Sequence, residues 1–152
     1  MGLDGHIFNF LKFRSMYVTS SDGSAEAKTG PIRTKPDDPR RTSIGRVIRK
    51  LSIDELPQLI NVIRGEVSLV GPRPERPEFV KIYEKKIPGY KSRHRIKPGI
   101  TGWAQINKLR GFTSIEERTQ YDVYYIENWS LFFDLKIIFK TFGVVIRGSE
   151  AY

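Results

Sequence analysis

The sequence predicts an α+β fold: a small sheet of short strands flanked by several helices. Three observations carry that expectation. Apolar residues recur at helical spacing in separate stretches, such as Leu56, Leu59, Ile60 and Ile63, and again Phe132, Leu135, Phe139, Phe142 and Ile146. The strand-like runs are short and punctuated by glycine and proline. The chain has 152 residues with 39% hydrophobic and 28% charged, which suits one domain with a real core.

In chain order, residues 6–16 read as a strand dense in Ile7, Phe8, Phe10, Leu11 and Phe13, with Lys12 and Arg14 on one face by period two. Residues 19–42 are rich in Ser, Thr, Gly, Pro, Asp and Arg, the composition of a long surface loop. Thr42 or Ser43 caps a short helix over 44–50. A second helix follows to about residue 64, stopped by Gly65 as a C′ glycine. Residues 66–70 form a short strand. Gly71-Pro72-Arg73-Pro74 is a stiff extended turn, because each proline fixes its own φ and restricts its predecessor. A helix over 77–87 places Phe79, Ile82 and Tyr83 on its apolar side. Residues 98–102 form a turn and 103–106 a short strand. Ser114 opens a helix to 128, with Glu117 at the capping-box position and a stripe of Ile115, Tyr121, Tyr124 and Tyr125. The last helix, 131–147, keeps Lys136, Lys140 and Arg147 off its apolar stripe.

Charge narrows the function. Lys and Arg total 26 against 17 Asp and Glu, a formal +9, which favours anionic partners: nucleic acid, acidic lipid or phosphorylated small molecules. The absence of cysteine excludes disulfides and thiolate metal sites. Residues 1–6 lack the basic-then-apolar pattern of a signal peptide, and His6 stands where a myristoylation motif needs Ser or Thr. No apolar run reaches the ~20 residues that span a bilayer. P-loop, GxGxxG, HExxH and GxSxG motifs are absent, and His6 and His94 have no metal-ligand partner at recognisable spacing.

The stretch 52–59, Ser-Ile-Asp-Glu-Leu-Pro-Gln-Leu, holds the strongest candidate site. Two readings are open. In one, Ser52 and Glu55 form a capping box and Asp54 complements the helix dipole. Pro57 opposes that register, since at N5 it deletes a helical hydrogen bond; with Asp54 as N-cap it falls at N3, where its missing N–H is harmless. In the other reading the carboxylates do chemistry. One attacks phosphorus, its neighbour holds Mg²⁺, and the helix start favours phosphate. Arg73, between Pro72 and Pro74, is either a solvated turn arginine or a preoriented phosphate clamp. Lys12 and Arg14 either neutralise a diphosphate or line an exposed strand face. The run 85–97 carries six Lys/Arg plus His94 and no acid; it is either a solvated basic surface or a seat for anionic headgroups. The last helix is either core or an in-plane interfacial helix, with Tyr124, Tyr125, Trp129, Phe132 and Phe133 as an aromatic cluster for a headgroup boundary.

Five ordered blocks then match one family. They are Lys12-Phe13-Arg14-Ser15-Met16; the stretch 51–59; residues 65–74, Gly-Glu-Val-Ser-Leu-Val-Gly-Pro-Arg-Pro; residues 97–105, Lys-Pro-Gly-Ile-Thr-Gly-Trp-Ala-Gln; and Tyr121-Asp122 through Asn128-Trp129-Ser130 to Asp134. Together they cover nearly the whole chain. The sequence resembles the catalytic region of the bacterial sugar transferases, the monotopic polyprenyl-phosphate phosphoglycosyl transferases. The resemblance implies one catalytic domain over 1–152 that moves a phospho-sugar from a UDP-sugar to undecaprenyl phosphate, the first membrane step of exopolysaccharide, O-antigen, capsule or glycoprotein glycan synthesis. It implies Asp54 as the nucleophile that takes the phospho-sugar covalently, Glu55 as a ligand of Mg²⁺, and Arg73 with its flanking prolines as a phosphate contact. Lys12, Arg14 and Arg110 complete the implied phosphate-binding set. It places the protein at the cytoplasmic face of the bacterial inner membrane, peripheral or monotopic, with amphipathic C-terminal helices at the interface.

The sequence departs from the family pattern in two places. The family's hydrophobic re-entrant helix would lie upstream of Met1, so the chain is expected to be truncated at its N-terminus relative to the family. Lys108 stands where the family commonly has glycine. Two other classes compete: an inactive remnant that docks on acidic membranes, and a basic nucleic-acid-binding domain. The latter lacks a recognition helix or RNA-binding motif, and no nucleic-acid partner is expected. Nothing in the pattern names the sugar or the oligomeric state.

Overall fold

The computed structural model describes residues 1–17, 41–109 and 113–146. Most of the predicted 19–42 loop, Arg110, Arg147 and the side chain of Ile146 lie outside them. A 3-10 turn, Leu3–Gly5, leads into an extended segment. Then come α1 (Ser43–Lys50), a 3-10 turn (Ile53–Glu55), α2 (Gln58–Ile63), β1 (Ser68–Val70) and α3 (Pro77–Lys86). A 3-10 helix (Tyr90–Arg95), β2 (Gly99–Thr101), α4 (Trp103–Ile106), α5 (Ile115–Glu127) and α6 (Leu131–Ile146) complete the order. The α+β expectation holds in its minimal form.

β1 and β2 pair in parallel, Ser68 opposite Gly99 and Val70 opposite Thr101. Parallel strands need a long crossover, here supplied by α3 and the 3-10 helix. Pairing continues past β1, as Gly71 N–H donates to Thr101 O (2.9 Å) and Gly99 N–H to Pro72 O (2.9 Å). The approach is so close that a Cβ on Gly99 would fall on the Gly71 backbone. One apolar cluster, Val80, Ile87, Tyr90 and Ile115, sits under α3; the other, Val70, Tyr125 and Ile137, ties β1 to α5 and α6.

Local chemistry sets the helix ends. The Thr42 hydroxyl accepts from Gly45 N–H (2.8 Å) and caps α1. Gly65, at φ +74, follows the last turn of α2 and donates to Val62 O, as its C′ role requires. Ser114 accepts from Glu117 N–H (3.2 Å) at the start of α5.

Four expectations need correction. Residues 6–16 form no ladder; among the described residues the segment makes only an isolated bridge, Met16 with Arg41. Its backbone is satisfied by other partners: Leu11 N–H donates to Asn61 Oδ1 (3.1 Å), Asn61 Nδ2 donates to Asn9 O (2.8 Å), and Phe13 N–H donates to Asp54 O (3.0 Å). α2 is turned the opposite way from a core helix. Its apolar face is outside, with Ile63 86% exposed, while Gln58 and Asn61 are fully buried. An extended backbone packed against α2 needs hydrogen bonds, and polar side chains supply them. Residues 103–106 are a helix and the strand lies in 99–101; a four-residue apolar run does not distinguish the two states by periodicity. In α3 the buried pair is Phe79 and Val80, while Ile82 is exposed.

Candidate active site

Leu51 ends α1, and Ser52 then adopts the left-handed region (φ 55), which swings the chain into the Ile53–Glu55 turn. A non-glycine residue there costs of order 1 kcal/mol, so surrounding contacts hold it. Neither predicted helix register is realised. Ser52 makes no side-chain cap, and Pro57 is itself the N-cap of α2, where it has no N–H to lose. Glu55 is thereby released from any capping role.

The turn buries Asp54 to 6% exposure and pins its carbonyl under Phe13 N–H. Its carboxylate forms no side-chain hydrogen bond or ion pair among the described residues. Burial pushes its pKa up; the Lys12 charge opposes that rise and the Glu55 charge adds to it. Glu55 is the opposite case. Lys12 Nζ (2.9 Å) and Arg73 Nη2 (2.6 Å) both bond its Oε1. Burial alone would raise its pKa, but the two cations, Arg73 first, hold it well below the usual carboxylate range. The two neighbouring carboxylates are thus pushed in opposite directions by their surroundings. Lys12 is held below its ordinary pKa by burial and by the Arg73 charge.

Arg73 leaves the C-terminal end of β1, the edge where α/β folds place ligands. Pro72 is buried and its carbonyl is tied to β2. The second terminal nitrogen of Arg73, Nη1, is buried without a hydrogen-bond partner among the described residues. A buried unbonded donor is costly, and an anion would satisfy it. A metal also fits the donor set. Glu55 Oε2 has no hydrogen bond among the described residues, and Asp54 is beside it. No cluster of three or more His, Cys, Asp or Glu occurs among the described residues, so substrate and water would complete the shell, as Mg²⁺ usually has it.

The structure therefore brings Lys12, Asp54, Glu55 and Arg73 together, with Pro72 and Pro74 fixing Arg73. Arg14 is exposed, with no contact that draws it to the acids. Arg110 lies outside the described residues. The run 85–97 is not a continuous solvated surface, because Arg93 within it is buried against Asp122 at 2.7 Å. Sequence reasoning missed Gln58, Asn61, Arg93 and Asp122. Gln58 is fully buried one turn after Glu55, with both amide atoms unpartnered among the described residues. Its signal was present: Gln58 and Asn61 share the α2 face opposite the apolar stripe.

A model of the bacterial sugar transferase family matches residues 1–148. The chain belongs to the bacterial sugar transferase family. It is similar to the undecaprenyl-phosphate glucose phosphotransferase of Komagataeibacter xylinus, 50% identical over 99% of this chain and 29% of that protein. It is 46% identical to the UDP-glucose:undecaprenyl-phosphate glucose-1-phosphate transferase of Escherichia coli strain K12, over 99% of this chain and 32% of the relative. The UDP-N-acetylgalactosamine-undecaprenyl-phosphate N-acetylgalactosaminephosphotransferase of Aeromonas hydrophila is 42% identical over 99% and 35%. The chain spans about a third of the length of each of these relatives. In this sugar transferase chain all five motif blocks fall within the described residues, and three of them, 12–16, 51–59 and 65–74, meet at Glu55.

Proposed function

We propose that this chain is the catalytic domain of a phosphoglycosyl transferase that moves a sugar 1-phosphate from a UDP-sugar to undecaprenyl phosphate. One observation carries the reading: a buried Asp54 carboxylate, in no ion pair among the described residues, stands next to Glu55, whose Oε1 is clamped by Lys12 and Arg73. Asp54 attacks the sugar-linked phosphorus of the diphosphate. The bond from that phosphorus to the bridging oxygen breaks, and UMP leaves with the electron pair. An oxygen of undecaprenyl phosphate then attacks the same phosphorus, forms the new diphosphate and returns Asp54 as a free carboxylate. Arg73 Nη1 and Lys12 stabilise charge on the phosphates, and a Mg²⁺ held by Glu55 Oε2 would neutralise the diphosphate. The relatives' names differ in the sugar, glucose for two and N-acetylgalactosamine for the third, so the sugar is left open.

The acceptor is a lipid, and the exposed apolar faces support work at a membrane surface, on the cytoplasmic side where UDP-sugars are made. Leu131, Phe132, Leu135, Phe139 and Phe142 of α6 and the outer face of α2 are exposed. No described helix is long and apolar enough to cross a membrane. An in-plane seat on the bilayer suits that combination. The nucleic-acid alternative is disfavoured by the relatives, whose names are those of sugar-phosphate transferases.

The test is UMP release from a panel of UDP-sugars with Mg²⁺, together with intact-mass detection of a phospho-sugar adduct. Asp54→Asn is expected to abolish both. Normal turnover by that variant removes the proposed nucleophile.

A further inference from the structure

Arg93 lies 20 residues from Arg73 in sequence, yet its guanidinium reaches the Arg73 backbone. Nε donates to Asp122 Oδ2 (2.7 Å), Nη1 to the Tyr90 hydroxyl (2.8 Å) and Nη2 to Arg73 O (3.0 Å). The Arg93 and Asp122 side chains are each only 2% exposed. Asp122 belongs to α5, Arg93 to the 3-10 helix, and Arg73 to the turn after β1, so one planar group joins three elements.

Stability alone does not account for such a pair. Burying two charges costs desolvation energy that their attraction roughly offsets, and well-packed apolar replacements are often as stable. The third bond gives the arrangement a purpose. Pro72 and Pro74 fix their own φ, and Pro74 restricts Arg73. That restriction still leaves Arg73 some tens of degrees of backbone freedom, and the bond from Arg93 Nη2 to its carbonyl narrows it. With the backbone held, the Cα–Cβ bond of Arg73 has one direction, and from it the guanidinium reaches Glu55 Oε1 at 2.6 Å.

We propose that Arg93, oriented by Asp122, is a positioning residue: through the Arg73 carbonyl it aims the Arg73 guanidinium at Glu55 and the substrate phosphates. This rests on the reading of Arg73 as a phosphate contact. The role belongs to Arg rather than Lys, because only a rigid fork satisfies Asp122, Tyr90 and the Arg73 carbonyl together.

The experiment uses the protein in its native membrane context and reads UMP release, melting temperature and an arginine side-chain NMR signal. Wild type and Asp54→Asn come first; their difference tests the transferase reading separately. Two sets of variants then test positioning. Arg93→Lys keeps a charge opposite Asp122 but loses the fork. Arg93→Met combined with Asp122→Leu removes both charges and keeps the site packed. Both orphan the Tyr90 hydroxyl and the Arg73 carbonyl, so they are expected to lower the melting temperature by a few degrees while staying folded, and to lower kcat by about tenfold or more, since small misplacements near a reacting centre cost that much. KM should change less than about threefold, because the loss lies in aiming rather than in ground-state binding. In an Arg73→Lys background the same changes should cost little more, as residues acting through one another are not additive. Full kcat in the folded Met/Leu variant, or losses that simply add to those of Arg73→Lys, would overturn the proposal. A readout without turnover guards against an inactive preparation. The Arg73 Nε–Hε resonance, assigned by its loss in Arg73→Lys, should move in Arg93→Lys; an unmoved resonance refutes the coupling.

Discussion

Glu55 carries two cations on one oxygen, and that single fact ties the residue-scale electrostatics to stability. Its folded pKa is depressed, so its contribution is complete above the ordinary Glu value of about 4.3 and is lost as pH falls below it. Glu55→Gln should therefore destabilise the chain by about 1.5–3 kcal/mol at pH 7, the range for hydrogen bonds to charged groups. The gap should narrow in denaturant titrations below about pH 4. A constant gap from neutral to acid pH would mean the carboxylate charge is not what matters. Asp54 has the opposite sign. Burial raises its pKa, and the proposed attack on phosphorus needs the ionised form, so the acid limb of kcat/KM should lie above the ordinary Asp value of about 3.9. Lys12→Met removes a charge that opposes the rise and should move that limb higher still. A limb that stays put would exclude Lys12 from the field at Asp54. At this scale the sequence was informative where residues adjoin, as with Asp54 and Glu55, and where proline restricts a neighbour, as with Arg73. It was silent on Arg93 and Asp122, because their pairing depends on how α5 packs against the 3-10 helix.

Elements behave differently, because a helix reports which residues share a face and not which face is inside. The apolar stripe of α2 and the aromatic stripe of α6 were both legible, and both face outward. The inner face of α2 is polar because it serves the extended segment that bears Lys12. Asn61 accepts from Leu11 N–H and donates to Asn9 O and to Glu66 Oε2 (2.6 Å). Asn61→Leu keeps a side chain of similar size but leaves two backbone groups of that segment unsatisfied. The cost should be about 2–3 kcal/mol, with faster amide exchange at Leu11 than in the wild type. Unchanged protection at Leu11 would show that the segment is held elsewhere. The missed strand over 6–16 and this prediction share one cause: its apolar residues resembled a strand, but its backbone found side-chain partners instead of a ladder.

At the scale of the whole molecule, charge and apolar exposure meet around α6. Phe132 is 85% exposed and Phe139 73%, while Ile137 on the opposite side is fully buried. Lys136 and Lys140 lie beside the Trp103 ring at 5.7 and 5.5 Å, at the junction of α4 and α6. Tyr125 Oη and Trp129 Nε1 both donate to Asp134, which braces the α5–α6 corner (2.6 and 3.2 Å). The aromatic face is thus rigidly presented and not part of the core that Tyr125 and Ile137 form with β1. A face of this kind, with a formal +9 behind it, should partition into vesicles of anionic lipid by both burial and charge. Full burial of a Phe is worth roughly 1.5–3 kcal/mol, so Phe132→Ser with Phe139→Ser should weaken vesicle binding at least tenfold while far-UV circular dichroism stays unchanged. Salt tests the other component. Raising ionic strength should reduce binding by the wild type without abolishing it, because exposed charges are screened and buried apolar area is not. If salt alone releases the wild type completely and the two serines change nothing, the contact is electrostatic and α6 does not enter the interface. If the serines release the protein at low salt, the aromatic stripe of α6 is the part that enters the interface.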